Sequence, residues 1–101
     1  MVTVPEWTFL TNHAHVLLCI ASDPSTRIRE VAARVQITER AAQRILADLT
    51  AEGYLTATRE GRRNRYQVNP ALPLRHPLER DHQIGEILAV FQPALTRNVA
   101  P

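Results

Sequence analysis

Residues Ile28 to Gly53 read IREVAARVQITERAAQRILADLTAEG, and their spacing decides the fold. Val31, Ala32 and Val35 fall on one face of a helix over about 29–35. Ala42, Ile45, Leu46 and Leu49 fall on one face of a second helix over about 38–52. Only Gln36 and Ile37 lie between the two, so the helices must cross steeply. Small Ala32 and Ala33 let the backbones approach, Ile37 plugs the crossing, and Thr38 is a suitable N-cap for the second helix. These are the requirements of helix-turn-helix geometry.

With that stripe buried, Glu39, Arg40, Gln43, Arg44 and Ala47 turn outward near the start of the second helix. Arginine bridges guanine O6 and N7, and glutamine does the same for adenine N6 and N7. A recognition helix presents its N-terminal turns to base edges in the major groove, so position and chemistry agree. The competing account is a solvated face held by Arg and Glu; this helix alone favours neither.

After Gly53 the period changes from helical to alternating. Tyr54 to Arg59 (YLTATR) and Arg63 to Asn69 (RNRYQVN) read as strands around the turn Glu60-Gly61-Arg62. Tyr66 and Val68 share the face suited to covering the helices, while Arg63, Arg65 and Gln67 take the other. Arg59, Arg62, Arg63 and Arg65 place four arginines within seven residues of the tip. Such a hairpin, following a reading helix, is a wing whose arginines pair with phosphates or enter a narrow minor groove. The competing account is an edge hairpin guarded by charge, for which lysine would serve as well.

Composition narrows the class. The chain has 101 residues, 45% of them hydrophobic, enough for one small domain with an appended helix. Every basic residue is arginine. The net charge of +2 is unevenly spread: Arg27 to Arg65 holds nine arginines against five acids, and the remainder holds three against five. The positive charge therefore sits in the reading module. The single cysteine, Cys19, forbids an intrachain disulfide. Neither a leader nor an apolar run of membrane-spanning length is expected, which predicts a cytoplasmic protein without a membrane partner.

The flanks read as follows. Residues 1–10 form an arm carrying Trp7 and Phe9. A helix capped by Thr11 or Asn12 runs to about Ser22 with Ala14, Leu17, Leu18 and Ala21 on one stripe, and Asp23-Pro24 ends it. Thr26 and Ile28 suggest a two- or three-residue strand for the hairpin to pair with. Asn69 to Pro77 has three prolines in nine residues and reads as a stiff connector. A last helix is predicted from Leu78 to about Gln92, its stripe Ile84, Ile87, Leu88 and Phe91 needing a cover; a second copy is favoured over fold-back. The tail from Thr96 is expected to be loose. The domain plan is thus 1–10 arm, 11–69 winged helix-turn-helix domain, 70–77 connector, and 78–101 dimerisation helix and tail.

The order of helix, short strand, IREVAARVQITERAAQRILADLTAEGYL and a hairpin ending GRRNRYQV resembles the winged helix-turn-helix transcriptional regulators of the MarR-like or ArsR-like sort. The resemblance covers about Thr11 to Asn69. It implies a mainly α fold with a small β-hairpin (α+β), double-stranded DNA as partner, and a homodimer whose two reading heads engage DNA jointly. It places Arg40, Gln43 and Arg44 where such proteins contact bases, and Arg62, Arg63 and Arg65 in the wing. Together with the reading of the residues, this makes Thr38, Glu39, Arg40, Gln43, Arg44, Arg59, Arg62, Arg63 and Arg65 the expected DNA-binding set. One departure is Gln36, at a turn position where these motifs usually have glycine; a left-handed non-glycine residue costs on the order of 1 kcal/mol.

Other chemistry is set aside. His15 and Cys19 share a helix face, but zinc normally takes four ligands and this helix aims only two in one direction. Gly53, Gly61 and Gly85 are isolated, so no phosphate-cradling loop exists, and Cys19 in an apolar stripe disfavours a thiolate. Neither a cofactor nor an enzymatic activity is expected. The serious alternative is a winged-helix protein-interaction module that does not read DNA. It gains weight if Glu39, Glu60 and Asp48 neutralise the basic face; Asp48 lies four residues beyond Arg44, within pairing distance on a helix. No stretch of sequence marks a ligand pocket.

Overall fold

Thr11 accepts a hydrogen bond from the Ala14 N–H at 3.4 Å and starts α1 (Asn12–Ser22) in the computed structural model, which describes residues 5–91. Asp23 leaves the helix in extended conformation (φ −150°) ahead of Pro24. The next helix, α2 (Ile28–Val35), is supported by the Glu30 carboxylate, which accepts from the Arg27 N–H at 3.2 Å. Gln36 ends it with φ 65° and ψ 49°, and its N–H donates to the Ala32 carbonyl at 2.8 Å. It is the non-glycine residue with positive φ among the described residues, so the turn keeps its left-handed shape without glycine. Thr38 Oγ1 then accepts from the Ala41 N–H at 3.0 Å and opens α3 (Glu39–Ala51).

Gly53, at φ 86°, reverses the chain after α3 into the antiparallel pair β1 (Leu55–Glu60) and β2 (Arg63–Val68). The register runs from Leu55 opposite Val68 to Glu60 opposite Arg63, leaving a two-residue turn with Gly61 first at φ 63°. A positive φ at the first turn position and none at the second is the pattern of a type II′ hairpin. Among the described residues the fold is therefore α+β: four helices and a two-stranded wing, a winged helix-turn-helix with an added C-terminal helix.

α1 is the central element, packing against α2, α3, β2 and the last helix, α4 (Ile84–Phe91). Val16, Ile20, Val31 and Leu55 are fully buried, and all of the inward residues read from the helix-turn-helix spacing are buried with them. Leu17, Leu49, Ile84 and Leu88 extend the same core toward α4.

Three expectations are corrected. No strand forms at Thr26 and Ile28: Ile28 begins α2, and the segment before it is a turn. Asp23 takes both the Ser25 N–H (side chain, 3.1 Å) and the Thr26 N–H (carbonyl, 3.0 Å). With those donors spent, the wing is joined here by one backbone bond, Tyr66 N–H to the Pro24 carbonyl at 3.0 Å. The connector is irregular, as its three prolines require, and it is folded. Residues 70–74 double back on 82–85 through a Pro73–Gln83 bridge and the bonds Leu74 N–H to His82 O, Ile84 N–H to Leu72 O and Gly85 N–H to Pro70 O, each 2.9 Å. Those bonds also delay the last helix. With Ile84 and Gly85 donating to the connector, they cannot close helical bonds onto 80 and 81, so α4 starts at Ile84 instead of Leu78. A Cβ at Gly85 would stand 3.0 Å from Pro70 Cβ and 3.1 Å from its carbonyl oxygen, so a larger residue there would have to push the connector outward slightly.

Finally, α4 folds back on its own domain through Ile84 and Leu88, whereas Val90 and Phe91 remain 74% and 55% exposed. The fold-back and an uncovered remainder coexist. In the arm, Trp7 and Phe9 pack edge-to-face on each other, centroids 5.1 Å apart. Residues 1–4 and 92–101, including the predicted end of the last helix and the tail, lie outside the described residues.

Candidate nucleic-acid interface

The site starts from the helix stripe. Because Ala42, Ile45, Leu46 and Leu49 are buried, the first two turns of α3 carry Glu39, Arg40, Gln43 and Arg44 on the exposed side. Among the described residues Arg40, Gln43 and Arg44 make no hydrogen bond or ion pair. Thr38 is also exposed, and its oxygen serves as the cap of α3.

Asp48 does not pair with Arg44. Its carboxylate instead meets His13 Nε2 at 2.9 Å, tying α3 to α1. Glu52, one turn further along, lies 3.9 Å from Arg75. Of the five acids between Arg27 and Arg65, Glu30 caps α2, and Asp48 and Glu52 are turned away, leaving Glu39 and Glu60 among the exposed arginines.

The wing is positioned by contacts of β1 with α3 and of β2 with α1. Its arginines divide into two groups. Arg62 makes no bond among the described residues, and Arg59 Nε donates to the carbonyl of Gly61 at 3.1 Å, within the hairpin tip. Arg63 donates to the Ser25 carbonyl and Arg65 to Ser25 Oγ at 3.1 Å, so both reach the loop between α1 and α2. A guanidinium has five N–H donors, so these bonds leave donors on both. Sequence reasoning placed the wing arginines but missed Ser25 as their anchor. Arg27 and Arg29, at the start of α2, are exposed as well.

Elsewhere, His15 Nδ1 is 3.2 Å from Asn12 Oδ1 and Cys19 is buried. Burial pushes the Cys19 thiol pKa up, against a smaller opposing pull from Arg34. No group of three His, Cys, Asp or Glu side chains stands ready for a metal among the described residues. At the start of α4, Glu86 accepts from the Gln83 N–H at 2.6 Å and meets His82 Nδ1 at 2.7 Å. The hydrogen bond that Glu86 accepts raises the imidazole pKa of His82, and the same pair lowers that of Glu86. One further feature departs from the sequence reading: a cleft of about 350 Å³ lies between α1, the end of α3 and the folded connector. Its walls come from segments far apart in the chain, which is why no single stretch announced it.

No protein-family model matches the chain, and no curated protein matches it in sequence. Among solved structures it is similar to the zinc-dependent MarR family transcriptional regulator AdcR in its Zn(II)-bound state. The identity is 26% and the TM-score 0.47, over 65% of this chain and 47% of that one, so the chain spans about half that regulator's length. Among the described residues, no helix is long and apolar enough to cross a membrane.

Proposed function

We propose that this chain is a transcriptional regulator that binds double-stranded DNA sequence-specifically as a cytoplasmic homodimer. The observation that carries the reading is the pairing of Asp48 with His13, which leaves Arg44 without the acid one turn along on the exposed face that it shares with Arg40 and Gln43. In this reading Thr38, Glu39, Arg40, Gln43 and Arg44 enter the major groove, Arg44 and Arg40 toward guanine and Gln43 toward adenine. Arg59, Arg62, Arg63 and Arg65 lie along the adjacent backbone or minor groove, where guanidinium charge releases counterions whatever the base sequence.

Assembly follows from the surface left by fold-back. Trp7, Phe9, Val90 and Phe91 are exposed apolar side chains at the two ends of the described chain, and a second copy covers them. Deleting everything from Leu78 would also remove the buried Ile84 and Leu88, so the cleaner test is Phe91→Glu. Light scattering is expected to give a dimer for the parent and a monomer for Phe91→Glu; equal masses overturn the dimer.

The function itself is tested by binding to pooled random duplexes across salt concentrations, with sequencing of the retained fraction. Enrichment of a palindrome with half-sites about 10 base pairs apart is the expected result. Retention without an enriched sequence, lost on modest salt, overturns it in favour of a winged-helix module that docks on protein.

A further inference from the structure

We propose that the cleft behind the reading helix is a binding site for a small lipophilic cation: an ammonium on an aromatic or branched apolar body. Its volume of about 350 Å³ is within the range of small-molecule sites, roughly 300–1,000 Å³. The cleft is made of two unlike surfaces. Its floor is apolar, from the buried residues Leu17 of α1, Leu49 of α3 and Ile84 of α4. Its rim carries three carboxylates, Asp48, Glu52 and Glu79, against one guanidinium, Arg75.

The pairing on that rim is incomplete. Asp48 is held by His13 at 2.9 Å, but Glu52 and Arg75 are 3.9 Å apart with both side chains more than half exposed, a loose pair in water. The Glu79 carboxylate has no partner among the described residues; only its backbone is bonded, to His76 and His82. The imidazole of His76 is turned to the backbone, Nδ1 accepting from the Leu78 N–H at 3.1 Å. An anion entering the cleft meets a rim with excess negative charge. A protonated amine meets Glu52 and Glu79 while its body covers Leu17, Leu49 and Ile84. The attraction is stronger beside an apolar floor than in bulk water.

The site does not depend on the DNA reading, although α3 links the two: the helix that carries Arg40 and Arg44 at one end lines the cleft at the other through Asp48, Leu49 and Glu52. Calorimetry of the full chain at neutral pH, without DNA, tests it with three probes of like shape: phenethylamine, neutral phenethyl alcohol and anionic hydrocinnamate. Phenethylamine is expected to bind about tenfold more tightly than the alcohol, the order of one charge-assisted hydrogen bond. The double variant Glu52→Gln, Glu79→Gln should lose that advantage while retaining the parent's circular dichroism melt, because both side chains are exposed. Three results overturn the proposal: no heat with any probe, alcohol or hydrocinnamate binding as tightly as the amine, or an undiminished amine preference in the double variant. With DNA absent, failure here is distinguishable from failure of the duplex selection.

Discussion

At its N-terminal end α3 leaves Arg40, Gln43 and Arg44 without a partner among the described residues, whereas at its C-terminal end Asp48 is held by His13 and Glu52 faces Arg75. Both ends belong to one helix with one buried stripe, so the difference does not come from the helix. It comes from what the rest of the chain brings alongside. The start of α1 and the folded connector reach the second half of α3 and engage its acids; nothing among the described residues covers its first half. A helix that would be near charge balance in isolation is thereby divided into a bare basic end and an acidic end facing a cleft. The wing repeats the contrast, with Arg62 unbonded among the described residues at the tip and Arg63 and Arg65 attached to Ser25.

The comparison breaks most completely if the shared support is removed. Ile20 is 1% exposed in α1, which packs against both the helix-turn-helix and α4. Ile20→Ala is expected to cost about 2–5 kcal/mol in denaturant unfolding, with both ends of α3 lost in a single transition. Separate transitions would show that the two regions fold independently. Next in size is the reading end. Arg44→Ala should cost about 1–3 kcal/mol on the preferred duplex and relax selection at one base position, whereas Arg62→Ala weakens all duplexes alike and lowers the salt slope by about one. Both are read by duplex binding across a salt series. Arg63→Ala combines that loss with a loosened wing, because it also removes the bond to Ser25.

A smaller effect tests the division itself. His13→Ala releases Asp48, which lies one turn from Arg44 and becomes able to pair with it. The surface pair with His13 contributes at most about 1 kcal/mol to stability, and DNA affinity should fall by a few-fold through the new pairing. Unchanged affinity would mean that the direction of Asp48 is immaterial to the basic face. The smallest effect lies at the start of α4. His82, with its raised pKa, contributes stability that is present below the ordinary imidazole value and lost as pH rises through its folded value. Glu86, with its lowered pKa, contributes stability that is present above the ordinary carboxylate value and lost as pH falls through its folded value. The α4 start is therefore firmest in the mildly acidic window between them. Glu86→Gln should return the His82 pKa toward its ordinary value in an NMR titration; an unmoved titration breaks the assignment.

Much of the fold was legible because local rules and burial agreed. The stripe Ala42, Ile45, Leu46 and Leu49, the cap Thr38, the reversal at Gly53 and the tip at Gly61 each follow from periodicity or backbone preference over a few residues. The exposed places of Arg40, Gln43 and Arg44 follow from the same stripe. The turn at Gln36 was less legible: glycine is usual at that position, yet glutamine adopts the left-handed conformation with φ 65° and the turn keeps its shape. Less legible were the segments whose bonds go to distant residues. Leu78 to Gln83 has a helix-compatible pattern, but Leu72 and Pro70 take the N–H groups of Ile84 and Gly85 and shift the helix start. Thr26 and Ile28 have strand propensity, but Asp23 claims the donors that a strand would have offered.

The sequence by itself determined the helix-turn-helix, the wing and the face on which the arginines stand, because these depend on residue spacing and short-range backbone chemistry. The tertiary structure alone decided that Asp48 turns to His13, that Arg63 and Arg65 attach to Ser25, and that the connector folds into the wall of a cleft. Those outcomes pair groups about 35 to 40 residues apart, or assemble a surface from several elements, and no local pattern encodes which of several available partners a charged side chain will meet.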